Sequence, residues 1–426
     1  MKVLMFGWEF PPHISGGLGT ACYGLTKGLS HIPGMEILFV VPKAYGDENR
    51  NGMHLIGAND VYVDTTKILK KKKLKKVTFL EVFSHLIPYL SPEEYEHLSL
   101  QEFEHNSALY KKGFKGKINF TGKYGRNLFE EISNYSLIAS TIALENDFDI
   151  IHAHDWLTYP AGIAAKAISG KPLVIHVHAT EFDRSGGSVN PDVFKIEKAG
   201  MEAANKIITV SNLTRNIVIE KYGINPQKVT TVYNAVEPQH ESFKIKKNTD
   251  EKIVCFMGRI TLQKGPEYFV EAASKVLKKM HNVRFVMAGS GDMMNKMIIQ
   301  AARLHITDKF NFTGFLKGEE VNHLFSISDV YVMPSVSEPF GISPLEAMQS
   351  NVPVIISNQS GVSEILNHAL KVDFWDIDAM ADAIYGLLNY NALGNMFKKY
   401  GKAEVENLKW DNSAQQVRNV YNAALS

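Results

Sequence analysis

Short apolar runs alternate with amphipathic stretches along most of this 426-residue chain. VLMFGW, EILFVVP, DIIHAH, LVIHVHA, KIITVS and VTTVYN are apolar at nearly every position, which predicts strands buried on both faces. TACYGLTKGLSH and MEAANKI, lying between such runs, are read as helices. That alternation predicts a parallel sheet with helices on both sides. The rhythm pauses at the polar stretch VEPQHESFKIKKNTDEK, read as an interdomain linker. It resumes with KIVCFMG, VRFVMAG, FNFTGF, DVYVMPS and VPVIIS, each followed by a helical segment. The expected fold class is therefore α/β, with two Rossmann-like, doubly wound domains over residues 1–240 and 241–411. A last helix over 412–426 could finish either one. Thr65 to Asn134 breaks the rhythm and reads as an insertion in the first domain. It contains KILKKKKLKK, with seven lysines in ten residues, either a solvated surface or a contact for an anionic partner.

Composition narrows the function classes. Hydrophobic residues make up 45% and charged residues 21%, enough apolar surface for two real cores. Lys plus Arg total 46 against 45 Asp plus Glu, which argues against a general nucleic-acid binder. The two cysteines, Cys22 and Cys255, form neither a disulfide framework nor a CxxC pair, which suits a reducing, cytoplasmic compartment. The opening MKVLMFGWEFPP is too short an apolar run for a signal peptide, and no run reaches the roughly 20 residues of a membrane span.

Each candidate motif follows a predicted strand, where open parallel sheets bind ligands. SGGLGT puts Gly16 and Gly17 before a helix, letting the backbone approach an anion; a turn that needs glycine for sterics is the alternative. GRITLQKG carries Arg259 and Lys264, a planar fork and a point charge able to neutralise a diphosphate. SEPFGISPLEA carries Glu338 and Glu346. SPLE reads as a helix start, with Ser343 capping and Glu346 closing a capping box. The backbone around Gly341, Ile342 and Ser343 then offers N–H groups to phosphate. Glu338, earlier on the loop, suits hydrogen bonds to sugar hydroxyls.

His152 and His154 precede Asp155, and His176 and His178 follow the same HxH spacing on the next strand. Alternation puts each pair on one sheet face, which admits a zinc reading. The phosphate and sugar motifs account for the site without a metal, so none is expected. His152 and His176 are read instead as core histidines satisfied by backbone.

Taken in order, GGLGT, HAHDW, HVHATEFDRSGG, VSNLTR, VYNAVE, GRITLQKG and SEPFGISPLEA resemble the retaining GT-B glycosyltransferases of the glycogen and starch synthase-like branch. The resemblance implies two Rossmann-like domains facing a cleft, with the final helix crossing back to the first. It implies a nucleotide-diphospho-sugar donor, ADP-glucose or UDP-glucose, and an α-glucan or other saccharide acceptor, with no cofactor. Arg259 and Lys264 would hold the diphosphate, Glu338 the transferring sugar and Glu346 the ribose. Phe340 to Ser343 would meet sugar and phosphate, and His178 would lie against the sugar. Gly16 and Gly17 would approach the diphosphate from the opposite domain. Glu9, His154, Asp155 and Asn234 would line the sugar or acceptor side. The chain departs from the bacterial ADP-glucose pattern at Ile14, where a Lys is usual. A small sugar or lipid-linked acceptor shares every motif, and a phosphorylase-like enzyme or a non-catalytic nucleotide-sugar binder shares the architecture. The sequence does not constrain the oligomeric state.

Overall fold

In the computed structural model, residues 1–14, 16–48, 52–71, 114–125, 127–238, 247 and 249–426 are described. Seven parallel strands form the first sheet, in the order β3-β2-β1-β6-β7-β8-β9. They are β1 (Lys2–Phe6), β2 (Glu36–Val41), β3 (His54–Gly57), β6 (Ile150–His154), β7 (Leu173–Val177), β8 (Lys206–Thr209) and β9 (Val229–Thr231). A short antiparallel pair, β4 (Val63–Asp64) with β5 (Lys115–Gly116), stands apart. The second sheet runs β12-β11-β10-β13-β14-β15. Its strands are β10 (Lys252–Met257), β11 (Val283–Ala288), β12 (Phe310–Gly314), β13 (Val330–Met333), β14 (Val354–Ser357) and β15 (Leu370–Val372). Every strand predicted from an apolar run is present.

The continuous apolar runs follow from covering both faces. In β1, Leu4 and Phe6 face one core with Tyr135 and Ile138 of α3 (Leu128–Glu145) and residues of α4 (Tyr159–Ser169). Val3 and Met5 face the other, against α1 (Gly17–Ser30) and the terminal helix α14 (Trp410–Leu425). Between α1 and α3 lies α2 (Thr65–Lys71); after β7 come α5 (Glu181–Ser185), α6 (Pro191–Ala203) and, past β8, α7 (Asn212–Glu220). The second sheet is flanked by α8 (Pro266–Leu277), α9 (Met294–Arg303) and α12 (Ile377–Asn389) on one side. On its other side lie α10 (Glu319–Ile327), α11 (Ser343–Gln349) and α13 (Asn391–Val405).

The packing of α14 on α1 explains two glycines. A Cβ at Gly24 would stand 2.2 Å from the Trp410 indole, and one at Gly28 2.7 Å from the Trp410 carbonyl oxygen. The expected linker falls largely on residues 239–246 and 248, outside the described residues. So do Lys72, Lys73, Lys75 and Lys76 of the lysine-rich run. The last residues of the segment Thr65 to Asn134 belong to α3, which packs in the helix layer. Among the described residues, no helix is long and apolar enough to cross a membrane.

Candidate functional site

Both sheets reverse their winding once, between β1 and β6 and between β10 and β13. Beyond the carboxyl ends at such a switch point the flanking loops diverge and leave a crevice. Glu9, Gly16 and Gly17 follow β1, and Asp155 follows β6. Arg259 and Lys264 follow β10, and the segment from Glu338 to Glu346 follows β13. His178 lies just past β7.

On the second sheet, Gly265 has φ +62°, and a Cβ there would stand 2.1 Å from the Pro334 carbonyl oxygen. Glycine thus lets the GRITLQKG loop lie on the end of β13. The preceding Lys264 places its Nζ on the Glu338 carboxylate as an ion pair. Glu338 also accepts from Ser335 Oγ at 3.2 Å. Its backbone N–H donates to Gln359 O (2.9 Å), and its carbonyl accepts from Gly361 N (2.8 Å). Glu338 is thus buried and held on three sides, with the ammonium as its partner. Arg259 is exposed and donates from Nη2 to Gln263 Oε1 at 3.3 Å.

The helix start at SPLE differs from its predicted form. Ile342 occupies the cap position in helical conformation, and no side chain caps α11. Gly341, at φ +96°, turns the chain one residue earlier than the motif suggests, so Ser343 is already inside the helix. Its hydroxyl hydrogen-bonds the Tyr331 hydroxyl at 2.8 Å. Glu346 closes no capping box. Its carboxyl has no hydrogen-bond partner among the described residues, and burial pushes its pKa up to about 7. It borders a cavity of about 160 Å³ lined also by Thr20, Glu237, Ile342 and Gln349, so residues of both domains meet there. Phe340 is buried in the core beneath this loop.

Opposite, Gly16 and Gly17 are exposed, and a Cβ on either meets nothing within 4 Å. Gly16 has an extended φ of −178°, which any residue adopts. Neither packing nor the backbone conformation of Gly16 requires glycine here.

His152, His154, His176 and His178 project on one face, ring against ring, with neighbouring centroids 4.2–5.5 Å apart. His154 Nδ1 lies 3.0 Å from His178 Nε2. Burial pushes the His178 pKa down to about 3, so the ring is neutral at physiological pH. The reading of His152 and His176 as satisfied by backbone is corrected. The partner of His152 is the Tyr421 hydroxyl, 2.6 Å from Nδ1, and neither nitrogen of His176 has one. Both rings point away from the sheet plane, whose N–H and C=O groups are engaged in the ladder.

Asp155 has φ +62°, a strained conformation for a non-glycine residue. Burial raises its carboxyl to a pKa of about 6, against the pull of Arg184 with Nη1 3.9 Å away. Glu9 and Asn234 are buried, following β1 and β9 respectively.

Three features escaped the sequence. Arg184 binds Glu181 and Glu197 beside Asp155. Asp183 caps α5 through Thr180 and also accepts from Ser337 Oγ of the opposite domain at 2.6 Å. Glu364 accepts from the N–H groups of Asn212 (2.9 Å) and Leu213 (2.7 Å) and from the Tyr233 hydroxyl (2.9 Å). The HVHATEFDRSGG motif was the available signal for Asp183 and Arg184; nothing marked Glu364.

Residues 238–404 match the family model described as glycosyl transferases group 1, and residues 102–240 match glycosyltransferase family 4. An uncharacterised glycosyltransferase of Methanocaldococcus jannaschii is 29% identical, covering 100% of this chain and 99% of that protein. The glycogen synthase of Mycobacterium tuberculosis is 26% identical over 65% of this chain and 69% of its own. Among solved structures, sucrose-phosphate synthase from Thermosynechococcus elongatus superposes with a TM-score of 0.72 at 18% identity, covering 99% of this chain and 98% of that one.

Proposed function

Because this chain belongs to the GT-B glycosyltransferases, we propose that it moves a hexose, glucose foremost, from ADP- or UDP-sugar to an α-glucan with retention at the anomeric carbon. The observation that carries the proposal is the Lys264–Glu338 pair at the β10/β13 switch point, with Arg259 on the same loop. Likeness to the M. tuberculosis glycogen synthase supports the glucan acceptor. Residues 241–411 hold the donor and residues 1–240 the acceptor, in the cytoplasm.

In this reading the acceptor hydroxyl attacks the anomeric carbon from the face the diphosphate leaves. The bond from that carbon to the phosphate oxygen breaks, the bond to the acceptor oxygen forms, and the acceptor proton passes to the departing diphosphate. The protein supplies position and charge rather than a nucleophile. Lys264 and Arg259 take up the charge growing on the diphosphate, which removes the need for a metal there. Glu338, freed to share its ammonium partner with the diphosphate, accepts from a sugar hydroxyl. Glu346 accepts from the ribose, and Phe340 to Ser343 pack beneath sugar and phosphate. His178, neutral, lies against the sugar.

The test is release of nucleoside diphosphate from a panel of nucleotide sugars, with glycogen, a short maltooligosaccharide, a monosaccharide or a lipid-linked sugar as acceptor. Release that requires the glucan supports the reading. Release with the small or lipid-linked acceptor alone replaces its acceptor half, and no release with any combination refutes it.

A further inference from the structure

The four-histidine face of β6 and β7 is turned toward α1 and α14, inside the first domain. His152, His154 and His176 are 0%, 0% and 2% exposed. Each has at least one buried ring nitrogen with no hydrogen-bond partner among the described residues: Nε2 of His152, Nε2 of His154 and both nitrogens of His176. An unpaired buried polar atom is destabilising, and folded chains seldom tolerate several side by side. Some group that accepts imidazole lone pairs would resolve all of them at once.

We propose that His152, His154 and His176 form a buried three-nitrogen site for a divalent ion of the zinc type. The three histidines offer nitrogens within 4.8 Å of one another. Zinc takes nitrogen at about 2.0–2.1 Å, so two tetrahedral ligands sit roughly 3.4 Å apart. The rings therefore draw in by about 1.4 Å at most, a shift within side-chain reach.

The outer nitrogens make the case specific. A histidine that binds metal through one nitrogen normally hydrogen-bonds through the other, which fixes its tautomer. His152 does this with Nδ1 on the Tyr421 hydroxyl and His154 with Nδ1 on His178 Nε2. In both, Nε2 is the bare atom. Neutral imidazole suits zinc. With the ion on His154 Nε2, His154 donates from Nδ1, and His178 keeps its Nδ1–H for the cleft.

The test reads metal, not glycosyl transfer, so it stands apart from the proposed reaction. The full chain is produced with zinc in the medium, dialysed, and its metal content measured by plasma mass spectrometry. Stripped protein is then titrated with Co²⁺, followed by visible absorption. The expected result is about one ion per chain and a tetrahedral cobalt spectrum. His176→Val weakens binding by roughly 100-fold or more while circular dichroism stays native. Should His176→Val fail to fold, the stoichiometry and cobalt spectrum of the unaltered chain decide alone. A chain that carries no zinc and binds Co²⁺ without saturation overturns the proposal, as does His176→Val binding as tightly as the parent.

Discussion

Replacing Lys264 by Ala perturbs two things that can be read separately. In the proposed reaction the ammonium faces charge that grows on the diphosphate as the sugar bond breaks, so its removal acts on the transition state more than on the bound donor. Losing one such donor lowers turnover by a factor of about 10² to 10³, or roughly 3–4 kcal/mol. The same change strips the partner from Glu338, whose side chain is 9% exposed. Breaking a fully buried pair costs about 3–5 kcal/mol. Lys264 itself is 20% exposed, so solvent screens part of this and about 2 kcal/mol is the better figure. That corresponds to a fall in thermal midpoint of roughly 4–8 °C. Adding Glu338→Gln to Lys264→Ala removes the stranded charge while keeping an acceptor for Ser335, so stability should return and turnover should not. Steady-state kinetics and scanning fluorimetry on the two single variants and the double variant check this. Turnover of Lys264→Ala within tenfold of the parent would refute the catalytic role. A double variant as unstable as Lys264→Ala would refute the charge argument.

Arg259 is exposed and bonded only through Gln263 among the contacts described above, so Arg259→Lys should leave stability unchanged. It should still lower turnover, because an ammonium cannot reproduce the guanidinium fork; full activity in that variant would remove the fork from the mechanism. Initial rates taken within minutes of adding EDTA should match those with Mg²⁺, since two cations meet the diphosphate in the proposed reaction, and loss of activity restored by Mg²⁺ would reverse that reading. Glu346 has its pKa raised to about 7, so it is largely protonated below that pH and ionised above it. Ribose hydroxyls donate best to the carboxylate, so calorimetric affinity for the nucleotide sugar should rise with pH through 7 and flatten in Glu346→Gln. An equal slope in both proteins would place the ribose elsewhere.

The sheets were legible because strands covered on both faces must be apolar at every position, as in VLMFGW, where Val3 and Met5 face one core and Leu4 and Phe6 the other. The contact of Lys264 with Glu338 was not legible: 74 residues separate them, and it depends on a positive φ at Gly265 that no local pattern reveals. SPLE misled for a related reason, since Gly341 begins the turn before the motif does. The HxH spacing correctly put the histidines on one face, but the partner of His152 comes from a helix 269 residues later. Local periodicity carries which side a residue faces. Closure between distant loops carries what it meets there.

Two neighbouring residues show how the halves of the cleft are joined. Ser337 points to the first domain, where Asp183 accepts its hydroxyl, while Glu338 pairs with Lys264 of its own domain. The internal pair is charged and largely buried, whereas the bond between domains is a single hydroxyl to a carboxylate already anchored by its cap. Parting the domains therefore breaks Ser337 from Asp183 before it disturbs Lys264 and Glu338. Asp183 is followed by Arg184, which stands beside the strained Asp155. The Ser337–Asp183 bond thus connects the loop after β13 to the neighbourhood of the Asp155–Arg184 pair. The exposed bonds of Glu364 to the start of α7 add a second, solvent-accessible latch at that seam. Contacts of this kind are modest in water, which suits the opening and closing that the proposed transfer requires.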